Sequence, residues 1–203
     1  MFKKDRSGQQ RLTKSAQRDL TWWATFLPVW SGVSIIQISR ERVYISIDAS
    51  GTKGIGRPWL QDDVQIFSTR VKRRHRSKHI NWKELFAIVY AFASWSEQWD
   101  NKQVIVFCDN EAVVEGINKR SIRGATIHPP QTPFLLAAKR NIDVATVWVP
   151  SKANALADAL SRFDMATVTN LLGQEADSIL RRQTSSIMSR ISRLMQPSTS
   201  TTD

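Results

Sequence analysis

Four acidic residues stand where the pattern of the chain changes. Asp48 ends the apolar segment VYISID and precedes the glycine-rich GTKGIG. Asp109 ends QVIVFC and precedes Asn110 and a helical pattern; Glu84 lies near the start of the striped segment 81–99, and Asp158 lies in ANALADALSRF, close after Asn154. Carboxylates from separate elements are the hard oxygen ligands that Mg²⁺ requires. Two such ions about 3.5–4 Å apart can activate a water and stabilise the leaving oxygen of an in-line phosphoryl displacement. Each acid also has a purely structural explanation. Glu84 fits the third position of a helix capped by Asn81, and Asp109-Asn110 fits a strand-to-helix turn with an N-cap. Asp158 fits a solvated charge, and Asp48 fits turn chemistry. No acid decides between the two readings alone. Their order across strand, helix, strand and helix favours a shared site, since sites in α/β sheets form at strand ends.

Elements able to bring them together are legible in the periodicity. VYISID (43–48) is β-branched and reads as a buried strand; strands near 55–60 and 64–70 complete an antiparallel meander, with Pro58 marking the second as poorly formed or an edge. Segment 81–99 carries Leu85, Ile88, Val89, Phe92, Trp95 and Trp99 on one stripe, with Asn81 as a plausible N-cap. QVIVFC (103–108) and DVATVWV (143–149) read as further strands, with helices over about 110–119, 133–140 and 153–163. The order βββαβαβα implies an α/β fold with a mixed five-stranded sheet, an antiparallel meander plus parallel strands, flanked by helices. Residues 15–30 read as a helix up to Pro28 behind a polar, basic N-terminus, so 1–40 stands apart from a domain over 41–165. Residues 166–203 read as a linker, disordered or weakly helical through Ile187, Ile191, Leu194 and Met195.

Composition narrows the partners. The 203 residues carry 29 Lys and Arg against 18 Asp and Glu, a formal net charge of +11. Such an excess favours a polyanion, most often nucleic acid. Cys108 is the single cysteine, so an internal disulfide is excluded, no disulfide-linked partner is expected, and its apolar setting reads as a core thiol. No apolar run approaches the roughly 18 residues of a membrane span, and the N-terminus lacks a secretory apolar region, giving cytoplasm or nucleus as the expected location. His75, His79 and His128 lack zinc-ligand spacing with a cysteine. No phosphate-cradling glycine loop and no Ser–His–Asp arrangement is present.

The segments YISIDASGTKGIG, HINWKELFAIVYAF, VIVFCDNEAVVEGIN and VPSKANALADALSRF closely resemble the ribonuclease H domain of retroelement reverse transcriptases, nearest to DIRS-type (tyrosine-recombinase) elements. The resemblance covers about residues 40–165. The upstream DLTWWATFLPVWSGVSII resembles the stretch joining polymerase and ribonuclease H in such elements. It implies a ribonuclease H-like fold and two Mg²⁺ (or Mn²⁺) ions held by Asp48, Glu84, Asp109 and Asp158. The implied reaction is cleavage of the RNA strand of an RNA–DNA hybrid. It further implies support of Asp158 by Asn154 or Ser161, contacts to the hybrid from Asn81, Asn110 and Asn154, and the polymerase domain of the same element as a partner. Integrases share the fold but carry their Glu last; here Glu84 comes second, which favours ribonuclease H. The chain has no Tyr-x-Asp-Asp polymerase segment, so a piece or degenerate copy of a polyprotein is expected.

Residues 70–78 (RVKRRHRSK) place Arg70, Lys72, Arg73, Arg74, Arg76 and Lys78 around His75. Such a run is either a solvated loop or a grip on hybrid phosphates beside the acids. Trp82, next to Glu84, is either core or substrate-facing. Pro129, Pro130 and Pro133 fall where relatives carry a helix, and Pro133 inside a helix would cost about 3 kcal/mol or more. Two function classes follow: an active hybrid nuclease, or a folded nucleic-acid-binding or scaffold remnant unable to cut.

Overall fold

The computed structural model describes residues 12–29, 39–60, 64–119, 136–174, 176 and 178–180. The proline cluster at 129, 130 and 133 and the apolar positions of 187–195 lie outside these. The chain divides into two units, Met1–Ile36 and Gln37–Asp203. In the first, α1 (Lys14–Phe26) is capped by the Thr13 hydroxyl, which accepts from the Ala16 N–H at 3.2 Å. Pro28 follows in a 3₁₀ turn, because its missing N–H cannot continue the helix.

The second unit is a mixed sheet between helical layers. The expected first strand is divided at Ile47 into β1 (Arg42–Ser46) and β2 (Asp48–Ala49), which makes six strands of the expected five. Both halves pair antiparallel with β3 (Gly54–Leu60), and β3 pairs antiparallel with β4 (Val64–Arg70). On the other side β1 runs parallel to β5 (Gln103–Cys108), and β5 parallel to β6 (Asp143–Trp148). The spatial order is therefore β4, β3, β1 with β2, β5, β6.

Pro58 does not mark an edge. β3 has partners on both sides, and its register runs Ile45↔Trp59 and then Asp48↔Gly56, so Pro58 falls opposite Ser46, in the gap between these two pairs. The ladder is broken where proline has no hydrogen to donate.

One face of the sheet packs on α2 (Ile80–Trp95) and α3 (Glu111–Asn118), and the main core fills this layer. The α2 segment is apolar nearly all round, and its residues from Trp82 to Trp95 are buried. The helix begins one residue before Asn81, and His79 is the N-cap: its Nδ1 accepts from the Asn81 N–H at 3.2 Å. Glu84 consequently lies past the first turn, and the capping-box explanation of it does not hold. The other face carries α4 (Ala155–Arg162) and α5 (Met165–Leu172), packed around Ile66, Leu160 and Val168. The α5 helix was not expected from the sequence; Asp164 caps it through Thr167, and Met165, Val168 and Leu172 give it an apolar stripe.

Candidate metal centre

The parallel pairing of β1 with β5 sets the C-terminal ends of the two strands side by side, Ser46 opposite Phe107. Asp48 and Asp109 each follow these paired residues by two positions, so the topology brings them to one edge. Glu84 reaches the same place from α2, its Oε1 accepting the Ala49 N–H at 3.1 Å. Oxygens of Asp48, Glu84 and Asp109 lie within 4.8 Å of one another, with Asp48 and Glu84 buried. Asp158 lines the same cleft, a cavity of about 1200 Å³, but stands outside the close trio. Its Oδ1 accepts from Arg162 Nε at 2.6 Å.

What allows α4 to approach is the absence of a side chain at Gly56. A Cβ there would lie 2.3 Å from the Ala157 carbonyl oxygen and 2.4 Å from the Ser161 nitrogen. These are backbone atoms that cannot swing aside. Gly56 pairs with Asp48, so the close contact that seats α4 lies directly beside the acid on β2.

The electrostatics are those of crowded, poorly solvated carboxylates. Burial pushes Asp48 up to about 6 from its ordinary 3.8, with the charges of Asp109 and Asp158 acting in the same direction. The Ser161 hydroxyl beside it and the charge of Arg162 partly offset this. Burial, then Asp48, holds Glu84 well above the usual carboxylate range. Glu84 Oε2 is buried with no hydrogen-bond partner. A buried acceptor without a donor, among like charges and an all-oxygen set, fits a divalent cation. The donors suit Mg²⁺ or Mn²⁺ and include no soft ligand.

The other expected residues divide. Asn110 Nδ2 donates to Asn81 Oδ1 at 3.0 Å, while Asn110 Oδ1 caps α3 through Val113; Asn110 lines the cleft. Asn154 is 2% exposed and its Nδ2 donates to the Ile47 carbonyl at 2.8 Å, at the break between β1 and β2. It is thus placed to hold α4 and the strand break together, beneath the cleft surface. Trp82 is core, stacked on Phe86 at 4.7 Å, with His75 against it at the same separation. His75 therefore anchors the basic run, leaving Arg70, Lys72, Arg73, Arg74 and Arg76 exposed and Lys78 half-buried. Burial lowers the His75 pKa, with Arg74, Lys72 and Lys78 adding to the effect. Cys108 is fully buried, as a core thiol should be.

Sequence reasoning missed three residues of the cleft. Ser151 Oγ donates to Asp109 Oδ2 at 2.6 Å, and the Trp148 indole N–H donates to the Asp109 carbonyl at 3.1 Å. Arg162, the partner of Asp158, was also passed over. Its spacing to Asp158 is the i, i+4 of a helical ion pair, a signal the sequence does contain.

No family model matches the chain, and no curated protein matches it. Solved structures with a similar chain path include ribonuclease H1 of the archaeon Halobacterium salinarum, 18% identical over 61% of this chain and 98% of that one, TM-score 0.43. Another is LC11 ribonuclease H1 in complex with an RNA/DNA hybrid, 19% identical over 62% of this chain and 97% of that one, TM-score 0.46. The N-terminal ribonuclease H domain of a Mycobacterium tuberculosis protein is 20% identical over 59% of this chain and 95% of that one, TM-score 0.42.

Proposed function

We propose that this chain is a divalent-metal-dependent ribonuclease H that cuts the RNA strand of RNA–DNA hybrids, in the setting of a retroelement polyprotein and beside its polymerase domain. The observation that carries the reading is the convergence of the Asp48, Glu84 and Asp109 carboxylates on one point, with a partnerless Glu84 oxygen among them. The four motifs that resemble retroelement ribonuclease H supply the family and the substrate class.

In this reading Asp48, Glu84 and Asp109 would hold two Mg²⁺ or Mn²⁺ ions, with Asp158, which lines the same cleft, as a further ligand. Metal held by these residues would supply the charge that activates an attacking water and stabilises the leaving oxygen. Ser151 fixes the Asp109 carboxylate and Trp148 fixes the backbone beneath it, so the acid keeps one rotamer. Asn110 and Asn81, bonded to each other at the cleft, contact the hybrid. Asn154 belongs to the site as the residue that seats α4. Selection of RNA falls to 2′-hydroxyl contacts across the minor groove. Location in the cytoplasm or nucleus belongs to the same proposal; no helix among the described residues is long and apolar enough to cross a membrane.

The test is cleavage of a labelled RNA–DNA hybrid by the full chain with Mg²⁺, beside Asp109→Asn. Metal-dependent cleavage by the wild type, lost in the variant, is the expected result; no cleavage by the wild type would overturn the enzymatic reading.

A further inference from the structure

Beside the carboxylate cleft lies a second cavity, of about 390 Å³, lined by Thr52, Lys53, Arg70, Arg76, Arg162 and Phe163. Four cations from four different parts of the chain line it, and no acid does. Lys53 comes from the turn after β2, Arg70 from the end of β4, Arg76 from the turn before α2, and Arg162 from the last position of α4. Like charges held in one concavity raise each other's energy unless an anion sits among them. Acids do stand nearby: Asp158 pairs with Arg162, and Asp164 and Lys53 feel each other's charge. Neither lines the cavity itself.

Three features show that the cavity is built. Lys83, 3% exposed on α2, donates its Nζ to the Gly51 carbonyl at 2.6 Å and to the Arg76 carbonyl at 2.7 Å. A buried ammonium thus ties together the two loops that carry Lys53 and Arg76, though a neutral tie would avoid adding charge. Phe163 ends α4 in the left-handed conformation, φ 59°, which is strained for a non-glycine residue. Its ring fits because Gly54 has no Cβ, which would lie 2.6 Å from it, and the Arg70 guanidinium sits 5.8 Å from the ring centre. Finally, Arg162 lines both this cavity and the carboxylate cleft, so the two are contiguous.

We infer that this cavity seats a backbone phosphate of the nucleic-acid strand that crosses the carboxylate cleft, with Lys53, Arg70, Arg76 and Arg162 around it and Lys83 as the positioning residue. The inference rests on the chain acting on nucleic acid, and it can be read without cleavage. The full chain in EDTA is titrated into a fluorescein-labelled RNA–DNA hybrid, and anisotropy gives affinity at several salt concentrations. Lys53→Ala/Arg70→Ala is compared with Lys119→Ala/Lys139→Ala, which removes the same charge; Lys139 precedes β6, at the strand ends opposite the site. All four side chains are exposed, so the fold should tolerate both doubles.

The seat predicts a log K against log salt slope shallower by about 0.7–0.9, one phosphate contact, in the first double and no change in the second. Lys83→Met should reproduce part of the loss, with Lys53, Arg70 and Arg76 all intact. An equal loss on a DNA duplex of the same sequence also supports the seat, and the hybrid cleavage assay alone then decides the enzymatic reading. Indistinguishable doubles, or a wild type that binds no nucleic acid, would overturn the inference.

Discussion

Substituting Asp48 with asparagine should stabilise the metal-free protein at neutral pH while removing its capacity to hold a divalent cation. Asp48 rises in the fold from 3.8 to about 6, chiefly through burial. A carboxyl whose folded pKa is raised binds its proton more tightly in the native state than in the unfolded chain. Its contribution is therefore fully present below pH 3.8 and is lost as pH climbs through 6. A shift of that size corresponds to about 3 kcal/mol at pH 7.5. In an approximately 165-residue unit that is about 6–12 °C in Tm. Glu84 acts in the same sense. His75 acts in the opposite sense, since a depressed imidazole favours the fold as pH rises through 6.5. The quantity to read is thus the difference between Asp48→Asn and wild type, not the raw slope. Calorimetry in EDTA at pH 5 and 7.5 should show the variant gaining over wild type as pH rises. Added Mg²⁺ at pH 7.5 should raise the wild-type Tm and leave the variant nearly unmoved. Parallel pH profiles for the two proteins would refute the claim that Asp48 is a strained, buried carboxylate awaiting a cation.

Other perturbations follow from the same geometry. Gly56→Ala should destabilise by about 1–3 kcal/mol, because the new Cβ meets α4 backbone atoms; hybrid cleavage should fall with it, and a normal melting curve with full activity would contradict the packing. Ser151→Ala should cut metal affinity or cleavage by about 10–100-fold by freeing the Asp109 carboxylate, as read by Mn²⁺ titration calorimetry. Arg57 is fully buried, stacked over Phe67 at 4.0 Å, with Ser94 accepting from Nη2 and Nε and Nη1 without a hydrogen-bond partner among the described residues. Arg57→Met should therefore leave chemical-denaturation stability unchanged or raise it by about 1–4 kcal/mol, by analogy with buried ion pairs replaced by apolar groups.

The strands and helices were legible because their periods are strong. VYISID, QVIVFC and the stripe from Leu85 to Trp95 leave little choice of element, and Asp48 and Asp109 announce themselves by standing where an apolar run stops. The failures are tertiary in origin. Pro58 reads as an edge signal on any local rule, and only the gap in the ladder between the Ile45 and Asp48 pairs, where Pro58 faces Ser46, makes it tolerable in an inner strand. Asn81 is a better cap by type than His79, yet His79 supplies the acceptor. The α5 helix is short and weakly patterned, and it forms where Val168 can bury against Ile66 and Leu160. Arg57 could not have been placed in the core from its type at all. Asn154 was expected to contact the hybrid, whereas it is buried on the Ile47 carbonyl, a partner known only once β1 and β2 are seen to part.

The distribution of charge says more than its sum. A net +11 suggests a diffuse attraction to polyanions, yet the cleft floor is acidic and by itself would repel a phosphate chain. Two divalent cations on the trio and Asp158 would reverse the sign of the floor, and any electrostatic account that omits them is incomplete. The cations of the neighbouring cavity lie on the side where the floor gives way to Arg162, which belongs to both. A strand lying across the cleft thus meets positive charge continuously only when metal is bound, while its grip at the rim persists without metal. The two contributions are therefore separable: metal should add to hybrid affinity in the wild type and in Lys53→Ala/Arg70→Ala by the same factor, since the rim and the floor contact different phosphates.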